Sequence, residues 1–287
     1  MNHVPNILVT GATGNIGQSL VARLSQLAET VQVVAASPKG LPVTGAMVRS
    51  LNLLDATSVQ AAMKGVKSLF LLTPAHPEME AMTSNAVQAA QAAGVLHIVR
   101  VSGAGADPAS DIAIARLQGR CDQIVIDSGI AYTLLRPKNF MQNFTTFLRD
   151  MIRAGVVYSS QADGRVPFID ARDIAAVAAK VLIDPAAHAG QAYTLTGPEA
   201  LTNAEALVAI EQSIGRKVSL VAVTEDQAIE GMRQAGMPES MVQAMSSLNR
   251  VIAAGWVAEV TDDVPQLLGG PATRWTDFVA EHRNVWL

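Results

Sequence analysis

Val9-Thr10-Gly11-Ala12-Thr13-Gly14-Asn15-Ile16-Gly17 is the stretch on which the reading of this chain turns. A short apolar run, Ile7-Leu8-Val9-Thr10, leads into it and predicts a buried strand. Behind it, Ile16, Leu20, Val21, Leu24 and Leu27 recur at helical spacing, which predicts a helix over 16–27. The glycines therefore occupy a strand-to-helix turn in the spacing G-x-x-G-x-x-G. Gly11 permits the tight turn. Gly14 lets the main chain approach a diphosphate with no Cβ in the way. Gly17 lets the helix lie close on the sheet. Free amides and the positive helix end suit phosphate oxygens. The expected cradle is Gly11, Thr13, Gly14, Asn15, Ile16 and Gly17.

Outward from this turn, strands and helices alternate. Further strands are expected at 31–36, 46–51, 68–72, 98–101 and 132–135. Helices are expected from Asp55, a capping residue, to about Lys64, over 78–93 up to Gly94, and over 112–127. Such alternation implies an α/β fold, a Rossmann-type doubly wound parallel sheet with helices on both faces. After Pro137 the pattern loosens. Helices are predicted at 139–153, 171–183, 203–214, 225–235, 239–254 and 273–282, with short strands near 156–158, 191–195 and 218–222. The expected organisation is a dinucleotide-binding domain over 1–155 and a smaller, mostly helical substrate lobe over 156–287, from which some elements can return to the main sheet.

Composition narrows the classes of function. At 287 residues the chain exceeds the ~150-residue span of a typical domain. Hydrophobic residues at 49% against 16% charged exclude a disordered chain. A net charge of −4 gives no reason to expect a nucleic-acid or anionic-membrane partner. Cys121 is the one cysteine, so no internal disulfide can form. His3, His76, His97, His188 and His282 show no metal-ligand spacing, and no metal is expected. No apolar run reaches ~18 residues and the N-terminus lacks a signal pattern, so a cytoplasmic protein acting on a small molecule is expected. Monomer and homodimer both stay open.

A dinucleotide site of this kind usually has an acid at the end of the second strand, gripping the ribose 2′-hydroxyl. Between Thr30 and Leu54 the chain has no Asp or Glu, and Ala36-Ser37-Pro38-Lys39 occupies the place. Absence of the acid removes a repulsion against a 2′-phosphate. NADP(H) is thereby favoured over NAD(H), with Ser37 and Lys39 as candidate contacts.

The motifs combine into a recognisable set. The Val9–Gly17 opening is joined by Ser128-Gly129-Ile130-Ala131-Tyr132-Thr133-Leu134-Leu135-Arg136-Pro137, Phe140-Met141-Gln142-Asn143, Asp170-Ala171-Arg172-Asp173-Ile174-Ala175 and Tyr193-Thr194-Leu195-Thr196-Gly197-Pro198. Together they resemble the NmrA-like branch of atypical short-chain dehydrogenases/reductases, which includes type-2 NAD(P)H:quinone oxidoreductases and triphenylmethane reductase. The resemblance implies positions for further contacts. Asn52 stands where an Asp commonly faces the adenine amine. Leu72, Thr73 and Pro74 would run beside the ribose and nicotinamide. Ser102 matches the edge at which short-chain reductases keep a catalytic Ser or Thr. Pro137, Asn139 and Phe140 would flank the nicotinamide. Relatives commonly carry an Arg where Ala36 stands, which weakens the case for NADP(H).

Ordinary short-chain reductases use Tyr-x-x-x-Lys, the lysine lowering the tyrosine pKa for proton exchange with a carbonyl. The three tyrosines, Tyr132, Tyr158 and Tyr193, have Arg136, Ala162 and Gly197 at the lysine position, so the pair is absent. The helix expected to carry it reads Arg116-Leu117-Gln118-Gly119-Arg120-Cys121-Asp122. Gln118 can hydrogen-bond a substrate oxygen but is no acid at neutral pH. Ser102 can orient a substrate oxygen, and His76, after Thr73-Pro74, is a candidate proton donor. Hydride transfer needs only placement of donor against electrophile. An acid matters most for a strongly basic alkoxide product. Quinones, conjugated enals and cationic dyes spread the arriving charge, so they suit a site without Tyr and Lys. The expected activity is NAD(P)H-dependent reduction of a small conjugated or quinone-like electrophile. The alternative is a non-catalytic NAD(P)-sensing regulator.

Overall fold

The computed structural model describes residues 5–27, 29–38 and 40–287. The chain forms two compact units. The first runs through Asp111 and adds Ala115–Pro137 and Ala171–Thr194; the second holds Ile112–Ile114, Lys138–Asp170 and Leu195–Leu287. The main change of unit thus falls at Pro137/Lys138 and not at the expected 155/156, and a later segment rejoins the first unit.

The first unit is built on alternating elements: β1 (Asn6–Val9), α1 (Asn15–Ser25), β2 (Gln32–Ser37), β3 (Met47–Ser50), α2 (Ala56–Ala62), β4 (Val66–Leu71), α3 (Met79–Ala93), β5 (His97–Val101), α4 (Ala113–Ile126) and β6 (Ala131–Pro137). Local chemistry sets the ends. Asp55 accepts the Thr57 and Ser58 amides and so starts α2. Gly94, at φ 69°, ends α3 in the left-handed conformation that favours glycine.

The remaining elements are α5 (Arg149–Ala154), β7 (Val156–Ser159), α6 (Ala171–Ile183), β8 (Gln191–Leu195), α7 (Asn203–Ile214), β9 (Ser219–Ala222), α8 (Glu225–Gln234), α9 (Glu239–Ala253), α10 (Asp263–Leu268) and α11 (Trp275–His282). The sheet runs β3-β2-β1-β4-β5-β6-β8, and its pairings from β3 through β6 are all parallel. Strand order reverses between β1 and β4, the switch point at which open α/β sheets bind ligands beyond their strand ends. The returning segment belongs to the first unit because α6 packs on α1 and β8 adjoins β6. Leu8, Val34, Leu69, Ile98, Met63 and Ala90 are among its fully buried core residues.

The second unit has its own core, in which Phe144 meets Phe168 and Trp275 edge-on at 5.2 and 4.7 Å. Strands β7 and β9 pair in parallel in a separate two-stranded sheet. Two expectations fail here. The helix foreseen over 139–153 is broken into a 3-10 turn at Met141–Phe144 and the short α5. The Thr145 and Thr146 hydroxyls donate to the Gln142 carbonyl, and the Trp286 indole donates to the Phe144 carbonyl, so side chains take the backbone acceptors a helix would use. The six-residue α10 was not foreseen, being too short to show a period. Among the described residues, no helix is long and apolar enough to cross a membrane, and no group of three or more His, Cys, Asp or Glu stands close enough to hold a metal ion.

A buried relay crosses the first unit. The Thr133 hydroxyl donates to the His188 carbonyl at 2.7 Å, so its oxygen accepts the His97 Nε2 proton at 2.9 Å. Burial, reinforced by nearby His188, pulls His97 down to about 4. Its folded value lies below its unfolded value, so the unfolded chain takes up the proton first as pH falls. Stability is therefore full above pH ~6.5 and drains away between pH ~6.5 and ~4, by up to about 3 kcal/mol. In His97→Gln that part of the slope disappears, which urea midpoints measured from pH 4.5 to 7.5 will register; an unchanged slope refutes the assignment.

Candidate active site

The glycine turn leaves β1 beside the end of β4. The Thr10 hydroxyl accepts the Leu72 amide at 2.7 Å and lies within hydrogen-bond reach of the Phe70 and Leu72 carbonyls, pinning the two strand ends together. Gly11 turns at φ +63°, and a Cβ there would come within 3.1 Å of the Leu72 side chain. Gly17 is tighter: its Cβ would lie 2.1 Å from the Gly11 carbonyl oxygen. Gly14 heads α1 without a side-chain cap, and no acid stands in the first turn. The Gly14 and Gln18 amides bond within the turn, to Gly11 and Gly14 carbonyls at 2.9 Å. The first amides of α1, those of Asn15, Ile16 and Gly17, have no carbonyl one turn earlier in the helix to accept them. An uncapped helix start beside backbone that tolerates no Cβ fits a diphosphate. Thr13 and Asn15 are exposed there, whereas Ile16 and Gly17 are buried beneath.

The other expected contacts fall at the same end of the sheet or in the second unit. Leu72, Thr73 and Pro74 continue from β4, with Thr73 buried. Ser37 ends β2, fully buried, and its hydroxyl accepts the Leu41 amide at 3.2 Å. Lys39 lies outside the described residues. Asn52 is exposed, and its side-chain oxygen accepts the Leu54 amide in a local turn. His76 sits in the turn before α3, where its Nδ1 accepts the Glu78 amide at 3.1 Å. Pro137 ends β6 and its carbonyl accepts the Ala104 amide. Asn139 and Phe140 belong to the second unit, where the Asn139 carbonyl accepts the Ile169 amide and Phe140 bridges to Ile169.

Ser102, just past β5, is 6% exposed, and its hydroxyl has no hydrogen-bond partner among the described residues although its amide donates to Leu135. Register places Val9, Phe70 and Val99 side by side, so Ser102 stands about two strand spacings, roughly 10 Å, from the glycine turn. Beside it, a Cβ on Gly103 would come within 3.4 Å of Gln118 Cγ. Gln118 thus approaches this strand end from α4.

Sequence reasoning missed what lies behind Gln118. Asp122 follows it by one helical turn, on the same face of α4. Asp122 is buried and pairs with two arginines: Arg100 of β5 at one oxygen, and Arg136 of β6 at the other, 3.0 Å away. Arg100 is fully buried and also donates to the Gln118 carbonyl oxygen at 2.8 Å. A charged residue set between Val99 and Val101 in a buried strand was the available signal, since such a charge demands a partner. Cys121, just before Asp122 on the helix, is a buried thiol whose pKa burial raises.

Gly17→Ala forces the Gly11 carbonyl and α1 apart. It is expected to cost about 1–3 kcal/mol of stability and to weaken dinucleotide binding at least tenfold. Thermal melts and calorimetric titration with NADPH check both.

The chain shares 38% identity over 279 residues with an NAD(P)H azoreductase of Xenophilus azovorans, covering 96% of this chain and 97% of that protein. Its structure is similar to that of the Escherichia coli NADPH-dependent quinone oxidoreductase QOR2 in complex with NADPH, with a TM-score of 0.83 and 27% identity over 96% of this chain and 99% of that one. It is also similar to Citrobacter sp. triphenylmethane reductase complexed with NADP(H), with a TM-score of 0.80 and 26% identity over 97% of this chain and 99% of that one. The NmrA-like family profile matches residues 4–263. The chain, with its glycine turn at a switch point of a doubly wound sheet, belongs to the NmrA-like family.

Proposed function

We propose that this protein is an NAD(P)H-dependent oxidoreductase that reduces a small conjugated or quinone-like electrophile by direct hydride transfer. The observation that carries the reading is the uncapped start of α1 beside Gly11 and Gly17, at the same sheet end as an unpartnered hydroxyl and an amide side chain. The similarity to an azoreductase and to quinone and dye reductases supports it.

In this reading the free amides of Asn15, Ile16 and Gly17 would hold the diphosphate, and Leu72–Pro74 and Pro137 would bound the nicotinamide side. Reduced nicotinamide supplies a hydride, one hydrogen with two electrons. Ser102 and Gln118 hold the electrophile's oxygen or nitrogen. For a quinone the balance is quinone plus NAD(P)H plus one proton giving hydroquinone plus NAD(P)⁺, the proton coming from water. No tyrosine–lysine pair is needed, because the charge that arrives is delocalised over the acceptor.

NADP(H) is the proposed preference, since no acid stands between Thr30 and Leu54 to repel a 2′-phosphate. NADPH should bind more tightly than NADH, and Lys39→Ala should narrow that ratio about fivefold, equivalent to ~1 kcal/mol. Competitive fluorescence titrations measure it; a ratio of one in the unaltered protein refutes the preference.

Purified protein with NADPH is expected to reduce menadione and the azo dye methyl red above the uncatalysed rate, followed by loss of nicotinamide absorbance. Cofactor binding without turnover of any quinone, dye, enal or imine would overturn the enzyme reading and favour an NAD(P)-sensing regulator.

A further inference from the structure

We infer that the buried Arg100–Asp122–Arg136 cluster is a device that fixes and polarises the Gln118 amide, making it the donor that receives negative charge arriving on the substrate. The inference rests on the reductase reading and adds the specificity of its acceptor subsite.

The geometry supplies three reasons. First, the cluster fixes which way the amide faces. Arg100 donates to the Gln118 carbonyl oxygen, and an arginine can only donate. The amide oxygen must therefore face Arg100, and the NH2 is left as the end available to a ligand. It makes no hydrogen bond within the described residues. Second, the cluster carries a surplus of positive charge. Two guanidiniums share one carboxylate, both of whose oxygens are used. Arg100 is fully buried and Arg136 is 27% exposed, so water screens the Arg100 part of the surplus poorly. A guanidinium bonded to an amide oxygen draws electron density from the amide and strengthens its N–H as a donor. Third, a second donor lies alongside. The Ser102 hydroxyl is buried and unpartnered, one residue before the Gly103 that Gln118 approaches. Burying a hydroxyl without a partner is costly, and a ligand acceptor would remove that cost.

Two donors and a net positive cluster make a site for an atom that accepts hydrogen bonds and gains negative charge: a quinone or enone oxygen, or an azo nitrogen. When hydride from reduced nicotinamide reaches the acceptor, two electrons and one hydrogen arrive together. The resulting anion rests on the atom facing Gln118 and Ser102, and a proton from water then neutralises it. Because the charge grows on the way to the transition state, the contact lowers the barrier more than it tightens substrate binding. Gln118 is thus a catalytic residue, and Asp122 is a positioning residue that acts through it by holding Arg100.

The test uses the full-length protein with NADPH and menadione. Gln118→Met keeps the length of the side chain at a half-buried position and removes the donor. It should lower kcat 10- to 100-fold while the menadione KM moves less than threefold and NADPH affinity is unchanged. Gln118→Glu would pair with Arg100 and present an acceptor, and should fall at least as far. Asp122→Asn should lower kcat in the wild-type background but have little added effect on kcat in a Gln118→Met background, an interaction that a merely structural role would not produce. A readout without cofactor is the affinity of 4-nitrophenolate, followed by absorbance, which should weaken about tenfold in Gln118→Met. Wild-type failure to oxidise NADPH with any acceptor would sink the reductase reading itself. Turnover in the wild type with kcat in Gln118→Met held within twofold, or no binding of 4-nitrophenolate to the wild type, would overturn this inference alone.

Discussion

The closest constraint in the first unit is the approach of α1 to the turn that precedes it. No side chain, not even a methyl group, fits between Gly17 and the Gly11 carbonyl. The helix therefore starts within the turn, with Gly14 at its head and no side-chain cap. The Thr10 hydroxyl holds the same turn against Leu72 of the neighbouring strand end. The glycines proposed to admit a diphosphate thus also set the distance between helix and sheet. On that proposal, a substitution that spoils one spoils the other, which couples binding to stability at this point.

A second constraint is electrostatic. Arg100 in a central strand would be costly alone, and Asp122 offsets that cost only in part, because it is shared with Arg136. Replacing such a cluster with apolar residues of like volume is often neutral or stabilising in proteins. Its presence on β5, α4 and β6 is therefore weak evidence for stability. Arg100 Nε has no partner among the described residues, which adds to the cost carried by this group.

Much of the first unit was legible because its signals are local. Apolar runs, helical spacing, the Asp55 cap and the Gly94 stop each act over a few residues, and the elements follow them. What escaped depends on contacts distant in sequence. The break at 141–149 comes partly from the indole of Trp286, far along the chain, which takes the Phe144 carbonyl. The loosening of the pattern after Pro137 marked the change of unit, but the return of α6 and β8 to the first unit depends on packing that no local pattern announces. In the site, the glycine turn could be read directly, and Gln118 and Ser102 could be named as candidates. The partners of Gln118 could not, because Arg100, Asp122 and Arg136 lie on three elements that only the folded sheet brings together.

The missing tyrosine–lysine pair and the charged cluster fit one physical account. A tyrosine held near neutral pKa gives its proton to a localised alkoxide, a product too basic to form without help. A delocalised acceptor poses a different demand: the anion is stable enough to wait for water, but its charge must be met as it forms. Fixed donors backed by buried positive charge meet that demand without transferring a proton, and they need no reorganisation at the moment of transfer.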